Sequence, residues 1–202
     1  MSEDTRERIL QAATREFSDK GFDGARVEAI AKRAGVNKAL IYYYFGSKLE
    51  LLKALYDGLW QAVLEKLSAA YDHAPPDEAR ERTHRFTHEL LEFLLARRDL
   101  VRIIFMESLK AEGENYVVSL AEHYLGRTAQ EIADSMRKAG MEVDFNSKQW
   151  LMTEFFTGLV PMICYALFRE DVSERIAVSP SDADEYFIQS LKMTHIRTHF
   201  PE

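Results

Sequence analysis

Two short helical stretches joined across a glycine constrain this chain more than any other feature. One runs from about Val27 to Ala34 and ends at Gly35. The other, capped by Asn37, runs to about Phe45. Neither can build a core of its own, so both must lean on neighbours. One neighbour lies just upstream: Thr5 can cap a first helix whose apolar residues Ile9, Ala13 and Phe17 recur at i, i+4 and i+8, with Gly21 as its stop. Helix, short helix, tight turn and short helix is the helix-turn-helix arrangement, whose last helix enters the major groove of DNA.

That last helix reads KALIYYYF from Lys38 to Phe45. On a wheel of about 100° per residue, Ile41 and Phe45 form one buried stripe, and Ala39 and Tyr43 lie opposite it. Lys38 and Tyr42 flank the exposed face on one side, Leu40 and Tyr44 on the other. Three consecutive tyrosines cannot all face one core, so at least one is exposed. A tyrosine ring packs on sugars and thymine methyls, and its hydroxyl reaches a phosphate oxygen without adding a mobile charge.

The net charge of −7 argues at first against a nucleic-acid partner. The charge is uneven, however. Residues 1–54 carry 10 Lys/Arg against 8 Asp/Glu, whereas residues 55–202 carry 16 against 25. Between Arg26 and Lys48 there are five basic residues and one acid, Glu28, so a local basic patch sits on an acidic body. Cys164 is the single cysteine, which rules out an internal disulfide and fits a reducing cytoplasm. The longest uncharged run, from Phe155 to Phe168, falls short of the ~20 residues that cross a bilayer, so no membrane segment is expected.

Glycine and proline are scarce, and no period-2 alternation is long enough for a strand, so the expected class is all-α. Ser47 and Glu50 form a capping-box signature for a fourth helix reaching about Tyr71. The prolines at 75 and 76 force a break. Further helices are expected at about 77–96, 99–111, 114–139, 147–170 and 181–199. Pro161 lies inside the fourth of these and should kink it. The apolar residues around it have no polar side, which predicts one face against the chain's own bundle and another against a second copy.

The stretch RERILQAATREFSDKGFDGARVEAIAKRAGVNKALIYYYFGSKLELL resembles the DNA-binding region of the TetR family of bacterial transcription regulators. The shared pattern is Ile-Leu-x-Ala-Ala, then Val-x-x-Ile-Ala, then Gly-Val-x-x-x-x-Leu/Ile-Tyr-Tyr-x-Phe-x-x-Lys, over about a quarter of the chain. The resemblance implies a helix-turn-helix DNA-binding domain at 1–46. It also implies a helical bundle at 47–202 for effector binding and dimerisation through the last two helices. By the same resemblance Lys38, Ala39 and Leu40 approach base edges, and Tyr42, Tyr43, Tyr44 and Lys48 contact bases or phosphates. Where the family carries two small hydroxyl residues before the second helix, this chain has Ala25 and Arg26. A hydroxyl cap is lost there, and Arg26 replaces the phosphate contact with a charged one.

Other constellations carry less. His84 with His88, and His195 with His199, have helical metal-ligand spacing but lack a third ligand, so no metal and no cofactor are expected. No phosphate loop, nucleophile elbow or HExxH occurs, so no enzyme is expected. The Phe- and Met-rich body could enclose an apolar cavity, with Trp60, Phe86, His88, Phe105, Phe155 and Met162 as candidate effector contacts. The expected whole is a cytoplasmic homodimeric regulator that binds a palindromic operator as a repressor and releases it to a small apolar effector. Its rival is a ligand-binding or enzymatic bundle whose head is a protein-interaction module; the basic patch argues against that.

Overall fold

The computed structural model of the protein describes residues 3–71, 79–110, 115, 118–119 and 148–196. Among them every regular element is helical: α1 Glu3–Gly24, α2 Val27–Ala34, α3 Lys38–Phe45, α4 Lys48–Tyr71, α5 Ala79–Ala96, α6 Arg98–Ser108, α7 Lys148–Thr153, α8 Val160–Arg175 and α9 Pro180–Leu191. Two π-helical stretches, Glu154–Leu159 and Lys192–Ile196, precede α8 and follow α9. The helix expected at 114–139 falls almost entirely outside the described residues. No described helix is long and apolar enough to cross a membrane.

The chain divides into two compact units, Met1–Ala62 with Asp99–Val118, and Val63–Arg98 with Ser119–Glu202. In the first, Ile9, Ala13 and Phe17 of α1 are buried with Ile30 of α2, Ile41 and Phe45 of α3, and Leu51, Leu52 and Leu55 of α4. The unit therefore reaches past residue 46, because the first two turns of α4 supply core leucines. It also takes in α6: Arg102 Nη2 donates to the Ser18 hydroxyl at 2.7 Å, and Lys110 Nζ to Asp23 Oδ2 at 2.6 Å. Neither contact is encoded in local sequence pattern.

In the second unit, Leu90, Leu91 and Leu94 of α5 are buried, as are Met162, Ile163, Ala166 and Leu167 of α8 and Ile188 and Leu191 of α9. A polar lock ties α8 to α9. Arg169 donates through Nε and Nη2 to the two carboxylate oxygens of Asp184 at 2.7 and 2.6 Å, and Tyr165 donates to Asp184 Oδ1 at 2.7 Å. The Tyr165 ring stacks on Phe187 with centroids 4.0 Å apart. Burial favours a protonated Asp184, yet the hydrogen bonds from Arg169 and Tyr165 and the guanidinium charge outweigh it, so the carboxyl titrates below its ordinary range. Burial, then Asp184, pushes the Tyr165 phenol up.

At Pro161, where a kink is expected, the structure has a π-helical stretch, Glu154–Leu159, just before the proline. Proline has no N–H to offer the preceding turn, and the Val160 N–H instead reaches back to Phe155 O. Gly158 lies in that stretch, and a Cβ there would stand 2.8 Å from His195 Nε2, so only glycine admits the imidazole. The ring is held by Thr157 Oγ1 at 2.9 Å and by Glu154 Oε2 at 3.4 Å. The helix then continues to Arg175, past the expected stop at 170. Ser179 caps α9 by accepting from the Asp182 N–H at 3.1 Å.

Candidate nucleic-acid interface

The presentation of α3 begins with its two ends. Asn37 Oδ1 accepts from the Leu40 N–H at 2.8 Å, which satisfies one of the orphan donors of the first turn. Upstream, Gly35 adopts φ +68, the left-handed geometry that lets α2 end in a Schellman closure: the Val36 N–H reaches Ala31 O at 3.0 Å. Downstream, Gly46 at φ +75 returns its N–H to Tyr42 O at 2.8 Å, and Ser47 Oγ accepts from the Glu50 N–H at 3.1 Å to start α4. Turns of this kind fix the direction of a short helix that could not hold itself.

Ile41 and Phe45 are buried, as the wheel requires. Opposite them Tyr43 is 71% exposed and Tyr42 41%, while Ala39 is exposed and Leu40 and Tyr44 are half-buried. The edge of the Tyr43 ring meets Tyr44 with centroids 5.6 Å apart, and that packing holds the outermost ring in place. Lys38 is exposed at the start of the helix. Its Nζ donates to Glu28 Oε1 of α2 and lies 5.5 Å from the Tyr42 ring centroid. The Glu28 hydrogen bond holds the lysine above its ordinary range and the carboxyl below its own, so both stay charged.

Arg26 is the N-cap of α2 in extended geometry, with no side-chain cap bond, and its carbonyl accepts from the Ala29 and Ile30 N–H groups at 3.0 and 3.1 Å. The missing hydroxyls are therefore not replaced as a cap, and the exposed guanidinium is left to face solvent. Lys48 is used differently from the other candidates. Its Nζ donates to the carbonyl oxygens of Phe22, Ala25 and Asp23 at 2.8, 3.1 and 3.4 Å and lies 4.5 Å from the Phe22 ring centroid. An ammonium has three N–H donors. All three are committed to the end of α1 and the link into α2, so Lys48 fixes the frame that carries α3.

Sequence reasoning passed over Glu28 as a functional candidate. Its signal was present, since it is the lone acid among the basic residues from Arg26 to Lys48.

The candidate effector residues are divided. Phe86 and Met162 are buried in the second unit, where Phe155 is half-buried with its ring edge-on to Phe156 at 4.9 Å. His88 is exposed in that unit, its ring 5.0 Å from that of His84. Burial, then Lys192 and His88, lowers the His84 pKa. Trp60 and Phe105 are half-buried in the first unit. Among the described residues no group of three His, Cys, Asp or Glu could hold a metal ion; His199 of the second pair lies outside them.

Residues 9–55 match the sequence profile of the bacterial regulatory proteins, tetR family. The transcriptional repressor NicS of Pseudomonas putida is 43% identical over 70 residues, covering 35% of this chain and 29% of that protein. The repressor SCO4008 of Streptomyces coelicolor is 36% identical over 108 residues, 54% of this chain and 52% of its own. The chain thus spans about half, or less, of the length of the curated relatives it matches. In overall fold it superimposes on the transcriptional regulator FadR of Bacillus subtilis, solved in complex with stearoyl-CoA. The TM-score is 0.66 at 16% identity, over 92% of this chain and 96% of that one.

Proposed function

Because the chain belongs to the TetR family of bacterial regulatory proteins, we propose that it is a cytoplasmic repressor that binds a palindromic operator as a homodimer and releases it when a small, largely apolar effector binds. The observation that carries the DNA-binding part is the geometry of α3. Ile41 and Phe45 anchor it, and Lys38, Ala39, Tyr42 and Tyr43 are exposed along a capped helix. In this reading Lys38, Ala39 and Leu40 approach base edges, the tyrosines and Arg26 meet the backbone, and Lys48 holds the frame.

Dimerisation is supported by the apolar surface of α8 and α9. Phe168, Val172 and Ile176 follow one another at i, i+4 and i+8 and are exposed, as is Tyr186 of α9. The effector part rests on the Phe- and Met-rich second unit and on the acyl ligand of FadR, which makes long-chain acyl compounds the first class to screen. The regulation is a two-state linkage. An effector that prefers the DNA-incompetent arrangement by about 100-fold supplies about 2.7 kcal/mol against operator binding.

Sequencing genomic fragments retained by the purified protein tests the reading. Recovery of an inverted repeat with half-sites one or more helical turns apart, about 34–36 Å per turn, is the expected result. Retention governed by fragment length alone would defeat it.

A further inference from the structure

The inference rests on the reading of α3 as the base-contacting helix. Glu28 is out of place on a surface meant for DNA, because an unpaired carboxylate there is repelled by phosphate. Its position is specific, however. It occupies the second residue of α2, and its carboxylate accepts from the ammonium of Lys38, the first residue of α3. Both side chains are solvent-exposed, at 64% and 45%, so the pair is displayed rather than buried. The Tyr42 ring lies against the same ammonium and limits where it can swing.

We propose that Glu28 and Lys38 act as one unit that reads a single G·C base pair in each half-site through the major groove. The chemistry is complementary. Guanine offers the acceptors N7 and O6, and its partner cytosine offers the N4 amino donor. O6 and N4 are held about 3 Å apart by their own Watson–Crick hydrogen bond. A cation and a carboxylate already in hydrogen-bond contact match that spacing: Lys38 donates to O6 and N7, and Glu28 accepts from N4. Neither charge has to abandon the other, so neither is desolvated alone. An adenine in the guanine position turns an amino group toward the ammonium and leaves the carboxylate facing thymine O4, an acceptor. The pair thus selects by repulsion as well as by attraction.

Selection from a randomised duplex pool, followed by competition between the selected duplex and its single-base variants, tests this on the full-length protein. The wild type should enrich G·C at one position of each half-site. Glu28→Ala and Lys38→Ala should both relax that same position, each losing on the order of tenfold discrimination. The double variant should lose little more than the worse single one, because the two side chains act together. Glu28→Gln carries the test if Glu28→Ala fails to fold, and its carboxamide should shift the preference toward A·T. If Glu28→Ala or Glu28→Gln tightens selected and random DNA alike and keeps the wild-type preference, Glu28 only repels phosphate and the proposal is overturned. A wild type that enriches no sequence overturns the regulator reading along with it.

Discussion

Tyr43 can lose its hydroxyl without losing its ring, and that separates two roles for the most exposed tyrosine of α3. With Tyr43 71% exposed, Tyr43→Phe should leave the melting temperature unchanged. It should cost about 0.5–1.5 kcal/mol of DNA affinity at an unchanged salt slope, the signature of one neutral hydrogen bond to the phosphate backbone. Affinity equal to wild type would remove that bond from the interface. Lys48 makes the opposite forecast. Lys48→Met keeps the stem but strips three carbonyl oxygens of their donor. Thermal denaturation should show a loss of about 1–3 kcal/mol. Salt dependence on random DNA should hardly change; a slope reduced by about 1 per head with full stability would place the ammonium on phosphate instead.

At the scale of elements, the lock between α8 and α9 has a definite pH signature. Asp184 is held below its ordinary titration range, so its contribution is fully present above the range of an unfolded carboxylate and is lost as pH falls through the lowered value. Asp184→Asn should therefore cost about 1–3 kcal/mol at neutral pH. The gap between the two proteins, followed by melting temperature, should close below about pH 4. The helix ends around α3 were legible because the sequence carries its own punctuation there, Gly35 as a stop and Asn37 and Ser47 as caps. At α1 the signals misplace both ends, since the helix already runs from Glu3 through Thr5 and continues past Gly21 to Gly24. The buried pair Ile41 and Phe45 followed from the 3.6-residue period of the helix. What stayed hidden depends on partners distant in sequence. No local pattern announces that Lys48 reaches back to Phe22, that Lys110 meets Asp23, or that His195 needs the bare backbone of Gly158. The proline at 161 announced a kink, whereas the feature beside it is a π-helical stretch. The candidate effector residues other than His88 were chosen for being large and apolar, a property that core residues share, and the structure distributes them over both units.

At the scale of the whole molecule, the proposed assembly depends on the exposed apolar residues of α8. Phe168→Glu with Val172→Glu should shift light scattering from twice the chain mass to the single mass, with far-UV circular dichroism retained. A wild type already at the single-chain mass of 23.3 kDa at micromolar concentration would refute the dimer. An effector should raise the melting temperature and lower operator affinity together, since the same linkage drives both. The π-helical stretch Glu154–Leu159 bears on how that apolar surface tolerates changes of chain length. A π turn accommodates one residue more than the α turn it replaces. Deleting one residue there would return the stretch to α geometry and leave Phe168, Val172 and Ile176 on nearly the face they now occupy, whereas deleting one residue between Pro161 and Phe168 would turn them by about 100°. A one-residue change of length is thus absorbed at the π turn and not in the regular turns that follow, where it would carry the proposed contact surface to another side of the helix.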